Sequence, residues 1–238
     1  MVDEPLFARR INCEPVETPR GLVPARTTMR GTSARLEPLD ADRHTSSLYR
    51  LGHDSEAALA SWQYLPWGPF ASEEAMCAQL RSFSSAFDRV FYAVCDPITG
   101  ETFGMATYLD IQPFAGVIEI GGIWFAPAFQ RTRAATEALF LMTVYAMDDL
   151  GYRRMQWRCN ALNARSRAAA RRVGFSFEGI LFNHMIVKGQ NRDTAWYSIL
   201  DTEWPTIRVT IEAWLDPTNF DAEGNQRRSL SAMIAARS

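Results

Sequence analysis

Two arginines stand in a segment that joins a strand-like run to a helix-like run, a place where proteins often hold a phosphate. Residues 130–138 read QRTRAATEA, and they follow the apolar run 116–125 and a proline. The N-terminus of a helix offers backbone N–H groups and a favourable dipole to an anion. Loops of this kind usually carry glycines, whereas this one carries Arg131 and Arg133. The segment predicts a phosphate site in which guanidinium groups add charge-assisted hydrogen bonds.

The backbone at Arg133 decides whether this site can form. A helical φ would leave the residue unstrained, while a positive φ would cost roughly 1–2 kcal/mol. With a helical backbone, the N–H groups of residues 132–136 would face the anion, and Ala134 and Ala135 would keep the approach open. The alternative is an ordinary helix start with exposed arginines.

Glu119 is the candidate general base. It lies in the run GVIEIGGIWF, residues 116–125. Regular alternation predicts one face made of Val117, Glu119, Gly121, Ile123 and Phe125. Apolar neighbours would raise the pKa of a carboxyl group towards a value that suits proton transfer. The alternative is a structural glutamate paired with an arginine, and Glu178 and Asp110 are weaker candidates for the base.

An aromatic segment, SWQYLPWGPF at residues 61–70, could bind an amine acceptor. Its large side chains are those of Trp62, Tyr64, Trp67 and Phe70. An aromatic groove would suit a peptide N-terminus or an amphipathic amine. The alternative is a hydrophobic plug that packs the early helices on the sheet.

The composition excludes several classes of protein. The 238 residues carry a formal net charge of −2, which gives no reason to expect nucleic-acid binding. No apolar run approaches the ~20 residues of a membrane span, and the first residues lack the apolar core of a secretory signal. The four cysteines form no CxxC pair and the three histidines are scattered, so no metal site is predicted. A cytoplasmic protein is expected.

Periodicity and turn residues predict an α+β fold with a central mixed, mostly antiparallel sheet and helices on both faces. Residues 1–32 are expected to form an extended arm, 33–215 the domain, and 216–238 a polar tail. Strands are predicted near 34–39, 90–95, 102–110, 116–125, 153–159, 177–187 and 194–200, with a turn at 188–193. Helices are predicted to begin after Asp40, Ser72 and Asn163, whose side chains can cap them.

This order of elements and several motifs resemble the GNAT superfamily of acyl-CoA-dependent N-acyltransferases, in its RimJ/RimL-like branch. The resemblance spans about residues 30–205. The motifs that carry it are EIGGIWFAPAFQRTRAATEA (119–138), LGYRRMQWRCNALNARSRAAARRVGF (150–175) and FEG followed by VKGQNRDTAWYSIL (177–200).

The resemblance implies an acetyl-CoA site with no metal. The implied contacts come from the strand before the loop, from the loop itself and from a later helix cap: Ile123, Trp124, Phe125, Gln130, Arg131, Thr132, Arg133, Ala134, Ala135, Thr136 and Asn163. A backbone N–H near Ile123 or Trp124 would polarise the thioester carbonyl, and Gly121 and Gly122 suit a bulge there. Arg133 stands where the family usually has a glycine.

Many members of the family carry a tyrosine that acts as the general acid, seven residues beyond the asparagine that Asn163 matches. That position is Ala170 here. Ser166 is the replacement candidate for contacting the thiol sulfur, and its alternative role is to cap the helix together with Asn163.

The predicted function is transfer of an acetyl group from acetyl-CoA to a primary amine, either a protein N-terminus or a small molecule. The alternative is a non-catalytic acyl-CoA-binding or interaction protein that keeps the fold. Neither nucleic acid nor a membrane is expected as a partner, and the proline-rich arm is compatible with a homodimer.

Overall fold

The structure is a computed structural model that describes residue 9, residues 13–17 and residues 22–236. Of the predicted N-terminal arm, residues 1–8, 10–12 and 18–21 lie outside them. The strands are β1 (Met29–Arg30), β2 (Arg35–Pro38), β3 (Val90–Cys95), β4 (Thr102–Gln112), β5 (Val117–Phe125), β6 (Arg154–Asn160), β7 (Ser176–Val187) and β8 (Gln190–Leu200). The α-helices are α1 (Ala41–His53), α2 (Glu56–Ala60), α3 (Glu73–Ser84), α4 (Arg133–Val144), α5 (Ala164–Arg172), α6 (Trp204–Leu215) and α7 (Leu230–Ala235), and Tyr145–Asp149 form a π-helical turn.

The chain forms two compact units. The first unit contains residues 23–111 and 118–145. The second unit contains the described residues up to 22, residues 112–117, and the chain from 146 onwards.

The first unit has five strands in the order β1-β2-β3-β4-β5. The pairs from β1 to β4 are antiparallel. Helices α1 and α3 pack on one face of these strands through a core that includes Leu48, Leu80, Phe91 and Met105. Helix α4 lies on the other face, where the buried Tyr108 hydroxyl donates a hydrogen bond to the carbonyl of Met142. Helices on both faces are therefore confirmed for this unit.

The second unit has three strands in the order β6-β8-β7, and both pairs are antiparallel. Helix α5 packs beside this sheet, and its Arg167 donates to the Tyr197 hydroxyl on β8 at 3.3 Å. The predicted six-residue turn at 188–193 is wrong, because β7 ends at Val187 and β8 already begins at Gln190. Lys188 and Gly189 alone make the turn, both with positive φ (48° and 74°), as a two-residue hairpin turn requires.

The N-terminal helix signals are confirmed. Asp40, Ser72 and Asn163 each accept a hydrogen bond from a backbone N–H in the first turn of α1, α3 and α5. The predicted tail contains a short helix, α7, capped by Ser229. Among the helices of the described residues, none has the length and apolarity needed to cross a membrane.

Candidate active site

The N-terminus of α4 has the geometry of an anion site. Thr132 is the N-cap residue: its Oγ1 accepts from the N–H of Ala135 at 3.2 Å. Arg133 is the first helical residue, so it occupies its position without strain. The positive φ falls instead on Arg131, at 65°. Within the described part of the chain, the N–H of Ala134 has no acceptor, which leaves a donor at the positive end of the helix dipole.

Gln130 fixes the approach to this helix. Its side-chain amide donates to the carbonyl of Phe125, the last residue of β5, at 3.1 Å. Thr132 strengthens the same turn, because its hydroxyl donates to the carbonyl of Phe129 at 2.7 Å. These bonds set the loop conformation, so the predicted role of Gln130 as a direct ligand contact stays a prediction.

Strand β5 is kinked at Gly121 and Gly122. The φ of Gly122 is 55°, a left-handed conformation that a glycine adopts without strain. A Cβ on Gly121 would lie 2.8 Å from Leu109, and one on Gly122 would lie 3.5 Å from Thr107. Since Leu109 and Thr107 share one face of β4, these two consecutive glycines of β5 project towards the same face.

The kink shifts the alternation of β5 by one residue. After it, Trp124 belongs to the core on the α1–α3 side together with Met105. Phe125 lies on the opposite side, where its ring would be 2.4 Å from a Cβ on Gly104. The predicted common face of Glu119, Ile123 and Phe125 is therefore wrong, because a bulge carries one surplus residue. Glu119 shares its face with Trp124.

The carboxylate of Glu119 lies beside this kink. Its Oε1 is 3.1 Å from the position that a Cβ on Gly121 would occupy. The absent side chain of Gly121 thus makes room for the carboxyl group. Glu119 is only 3% exposed. The structure brings together a buried carboxylate and a kinked strand, the arrangement that the prediction of a general base requires.

The four aromatic side chains of residues 61–70 have different environments. Trp62 is fully buried, stacks on Trp124 with ring centroids 4.6 Å apart, and donates to the carbonyl of Gly52 at 2.9 Å. Its contacts are those of a packing residue, the alternative that the sequence left open for this segment. Its predicted contact with an acceptor would require these contacts to break.

Tyr64, Trp67 and Phe70 are half-buried. Trp67 packs edge-on against Phe83, with ring centroids 4.8 Å apart. Its ring also lies next to the kink, 3.3 Å from the position that a Cβ on Gly122 would occupy. Trp67 is therefore a half-buried aromatic residue that the structure places beside the kink of β5.

The predicted residues of the second unit form a helix cap. Asn163 Oδ1 accepts from the N–H of Ser166 at 3.0 Å. Ser166 Oγ in turn accepts from the indole N–H of Trp157 at 3.0 Å. Capping by Asn163 is thus established. A role for either residue towards acetyl-CoA stays a prediction, and Ala170, at the position of the missing tyrosine, is fully buried.

Glu178 is a poor candidate for the base. Burial favours its protonated form, but hydrogen bonds from Arg154 and Ser198 and the charges of Arg154 and Arg9 outweigh burial and lower its pKa. Arg9 approaches Glu178 at 2.6 Å and Glu203 at 2.8 Å. A carboxylate held by two guanidinium groups is a weak proton acceptor. Asp110, the other alternative, lies half-buried near the end of β4.

Glu37, His44 and Cys95 form a buried cluster of side chains of the types that bind metals. His44 Nδ1 accepts from the N–H of Asp40 at 3.0 Å, so the proton of the neutral ring is on Nε2. That nitrogen faces Glu37 at 3.6 Å and offers no lone pair to a metal. Burial also raises the pKa of the Cys95 thiol. A neutral histidine, bonded at Nδ1 and with its Nε2 proton towards Glu37, fits the cluster better than a metal ion.

Glu37 itself is already neutralised. Its carboxylate pairs with Arg35 and Arg43, both at 2.6 Å. Burial alone would raise its pKa, but these two arginines lower it. The cluster is therefore a structural ion pair with a buried imidazole.

Known proteins share this sequence pattern and fold. The acetyltransferase (GNAT) domain family matches residues 34–176, more than half of the chain. The crystal structure of a GCN5-related N-acetyltransferase from Brucella melitensis is 43% identical in sequence and superposes with a TM-score of 0.88. The match covers 92% of this chain and 98% of the Brucella chain. This chain belongs to the GNAT acetyltransferases.

Two further relatives agree with this GNAT assignment. A protein from Chromobacterium violaceum ATCC 12472, described as a probable GNAT-family acetyltransferase, is 40% identical with a TM-score of 0.73, over 84% of this chain and 98% of its own. A Bacillus subtilis (strain 168) protein, provisionally named ribosomal N-acetyltransferase YdaF, is 26% identical over 172 residues, 71% of this chain and 90% of its own. The predicted α+β class, the GNAT superfamily with its RimJ/RimL-like branch, and acyl-CoA-dependent acetyltransferase activity are confirmed.

Proposed function

We propose that this GNAT acetyltransferase moves an acetyl group from acetyl-CoA to a primary amine by direct attack in a ternary complex. The observation that carries the proposal is the position of the buried Glu119 at the kink of β5. The chain that follows β5 forms the capped N-terminus of α4, next to two arginines. The acceptor is a protein N-terminus or a small-molecule amine. The name of the Bacillus subtilis relative makes ribosomal-protein N-termini the first acceptors to test.

The N-terminus of α4 would bind the pyrophosphate of acetyl-CoA. The unpaired N–H of Ala134 and the helix dipole favour an anion there. Arg131 is exposed and Arg133 is half-buried, so both guanidinium groups could reach phosphate oxygens. This arrangement fits the cosubstrate that GNAT acetyltransferases use, and arginine at position 133 does not oppose it, because the residue is helical.

The kinked strand would supply the groups for the chemistry. A backbone N–H near Ile123 or Trp124 would donate to the thioester oxygen as it gains charge. Glu119 would take the proton from the acceptor ammonium and so free the amine for attack. Holding the amine and the thioester together provides much of the remaining rate enhancement. Tyr64, Trp67 and Phe70 are the proposed aromatic contacts of the acceptor.

Calorimetric titration with acetyl-CoA, desulfo-CoA and ATP tests the cosubstrate site, and an acceptor screen with N-terminal peptides and small amines tests the reaction. We expect acetyl-CoA binding that ATP does not match, followed by release of free CoA with at least one amine. Absence of both would refute the proposal. Binding without turnover for any amine would instead favour the non-catalytic alternative. A cytoplasmic location and a homodimer remain predictions.

A further inference from the structure

The C-terminal turn of α1 holds both ends of the aromatic segment 61–70. The indole N–H of Trp62 donates to the carbonyl of Gly52 at 2.9 Å, and both residues are buried. The backbone N–H of Phe70 donates to Nε2 of His53 at 2.9 Å, and both of these residues are half-buried. The end of the segment that carries Phe70, a proposed acceptor contact, is therefore held by one histidine.

The hydrogen bonds of His53 define its protonation state. Its Nδ1 lies 2.9 Å from the carbonyl oxygen of Tyr49, which can only accept, so Nδ1 carries a proton. Its Nε2 accepts from the N–H of Phe70, so Nε2 must keep a lone pair. Only the neutral ring with its proton on Nδ1 meets both conditions. A cationic ring would turn an N–H towards the N–H of Phe70 and lose that bond.

Aromatic contacts keep the imidazole in place in either protonation state. The ring stacks on Tyr49, with centroids 4.2 Å apart and an interplanar angle of 22°. It also lies 6.0 Å from the ring of Trp62 and 6.3 Å from that of Phe70. These contacts do not use the lone pair of Nε2, and a cation is also accepted against an aromatic face. Protonation would therefore break the bond to Phe70 selectively and leave the ring where it is.

The charged and titratable groups around His53 come from three helices and from the segment itself. Along the chain and in the segment they are Tyr49, Arg50, Asp54, Glu56 and Tyr64. Arg50 pairs with Glu101, and the two carboxylates of this group are exposed. From α3, Arg81 pairs with Asp42 at the opposite end of α1. Among side chains of these types, histidine alone ordinarily changes its charge between pH 5 and pH 8.

We propose that His53 is a positioning residue, which holds Phe70 in place for the acceptor when neutral and releases it when protonated. The inference deepens the proposed function and rests on it for the role of Phe70 towards the acceptor. Neutral His53 keeps the Phe70 end of the segment bonded to α1, while Trp62 keeps the other end bonded at any pH. Acceptor affinity should therefore fall as the pH falls. The affinity for acetyl-CoA should not change with the state of His53, because the α4 N-terminus makes none of these contacts.

Hydrogen exchange of the Phe70 amide, followed by NMR, tests the bond without any need for turnover. Protection is compared after correction for the intrinsic pH dependence of amide exchange. In the unsubstituted protein it should fall roughly fivefold from pH 8 to pH 5, the effect of one net hydrogen bond. His53→Gln should keep it at both pH values, because the amide oxygen can accept the same bond and does not titrate. His53→Ala should lose it at both.

The ¹⁵N chemical shifts of the His53 ring give a second readout that is independent of catalysis. At pH 8 we expect the tautomer with its proton on Nδ1. The other tautomer, or equal protection of the Phe70 amide in all three proteins, overturns the inference. A protein that acetylates nothing would refute the proposed function, and these two readouts would still decide whether His53 holds Phe70.

The pH profile of KM for the acceptor connects the bond to the reaction. The acceptor ammonium and Glu119 titrate in every variant, so the informative quantity is the ratio of acceptor KM between the unsubstituted protein and His53→Gln. This ratio should rise roughly fivefold from pH 8 to pH 5, while kcat and the affinity for acetyl-CoA keep constant ratios. His184→Gln is the control for loss of a titrating ring and should leave the profile as it is. A constant KM ratio in a protein that turns over would overturn the inference and leave the proposed function intact.

Discussion

The indole rings of Trp62 and Trp124 lie nearly parallel, with centroids 4.6 Å apart and an interplanar angle of 11°. Each indole N–H also donates a hydrogen bond. That of Trp62 goes to the carbonyl of Gly52, and that of Trp124 goes to Ser61 Oγ at 2.7 Å. The stack therefore fastens the aromatic segment 61–70 to β5, the strand that carries Glu119. Trp67 can lie against the kink because Trp62 holds the segment in place.

Replacing Trp62 should unfold the protein before it affects catalysis. Trp62→Ala removes a fully buried aromatic side chain, and we expect a loss of roughly 3–5 kcal/mol in the free energy of unfolding. Urea denaturation followed by circular dichroism measures it. Tyr64→Ala, at a half-buried position of the same segment, is the control and should cost much less. Equal losses would show that the stack does not fasten the segment.

Glu119→Gln should lower kcat by roughly 10²–10⁴-fold, because glutamine keeps the shape of the side chain but cannot accept the proton. Acetyl-CoA affinity should stay the same, since the carboxylate lies beside the kink and not at the α4 N-terminus. Initial-rate assays measure kcat, and calorimetric titration measures the affinity for acetyl-CoA. Glu56→Gln, at an exposed position in the first turn of α2, is the matched control. An unchanged kcat in Glu119→Gln would remove it as the base.

The two arginines of the α4 loop should respond differently to substitution. Arg131→Gly relieves a φ of 65°, so stability should be unchanged or higher while acetyl-CoA affinity falls with the lost charge. Arg133→Ala keeps the helical backbone and should lower affinity by roughly tenfold if the guanidinium contacts phosphate. Calorimetry at two salt concentrations measures both effects.

Arg165→Ala, an exposed arginine on α5, is the control for the general loss of positive charge. Affinity that matches the unsubstituted protein in both Arg131→Gly and Arg133→Ala would show that the backbone of the helix N-terminus binds the phosphates without help from the side chains.

The buried imidazole of His44 should make stability depend on pH. Burial, followed by the charge of Arg43, lowers the pKa of His44 below its ordinary value of 6.5, although Glu37 and Asp40 act in the opposite direction. In the unfolded chain the imidazole takes up a proton as the pH falls through about 6.5, whereas in the folded protein it does so only at lower pH. The unfolded state then binds more protons, so the free energy of unfolding should fall from pH 7 to pH 5.

His44→Gln should remove most of that slope, which urea midpoints between pH 5 and 7.5 would measure. Glu37 does not confuse the result, because its pKa is lowered from 4.5 and its contribution is lost only at more acidic pH. His184→Gln, at a half-buried position of β7, is the control. The same slope in His44→Gln and in the unsubstituted protein would contradict the assignment.

Arg9 should stabilise the second unit. Its guanidinium donates to Glu178, Glu203 and Ser198 at 2.6–2.9 Å, and it is 23% exposed. Arg9→Ala should cost roughly 1–3 kcal/mol of the free energy of unfolding, discounted for partial exposure to solvent. Arg9→Lys should recover only part of it, because an ammonium cannot reproduce the fork of a guanidinium. Arg227→Ala, at an exposed position, is the control in thermal unfolding.

Local signals predicted most of the fold. The caps at Asp40, Ser72 and Asn163 lie next to the helices that they start, so the sequence contains the whole interaction. The phase of β5 could not be predicted in the same way. Gly121 and Gly122 were compatible with a bulge, but only the backbone angle at Gly122 decides which later side chains change face.

The candidate site was predicted less completely, because burial depends on contacts that are distant in sequence. Trp62 and Trp67 stand five residues apart in the same aromatic segment, yet Trp62 is fully buried and Trp67 is half-buried beside the kink of β5. The environment of the Thr107 hydroxyl was not predicted either, because threonine, like other β-branched residues, is common in strands. Only the structure shows that its hydroxyl has no protein partner among the described residues.

The kink of β5 is a one-residue surplus, and so it makes the length of the strand part of the site. A chain with one of the two adjacent glycines deleted would regain regular alternation and still keep Glu119 and Trp124 on one face, because their separation would fall from five residues to four. A strand of the present length without the kink would instead turn every later side chain over, with Trp124 leaving Trp62 and the loop at Gln130 entering α4 from the other side. Conservative substitutions around the kink change single contacts. Loss of the left-handed backbone at Gly122 would redirect the whole segment between the carboxylate and the helix, so this strand should tolerate changes in residue type elsewhere far better than at this glycine.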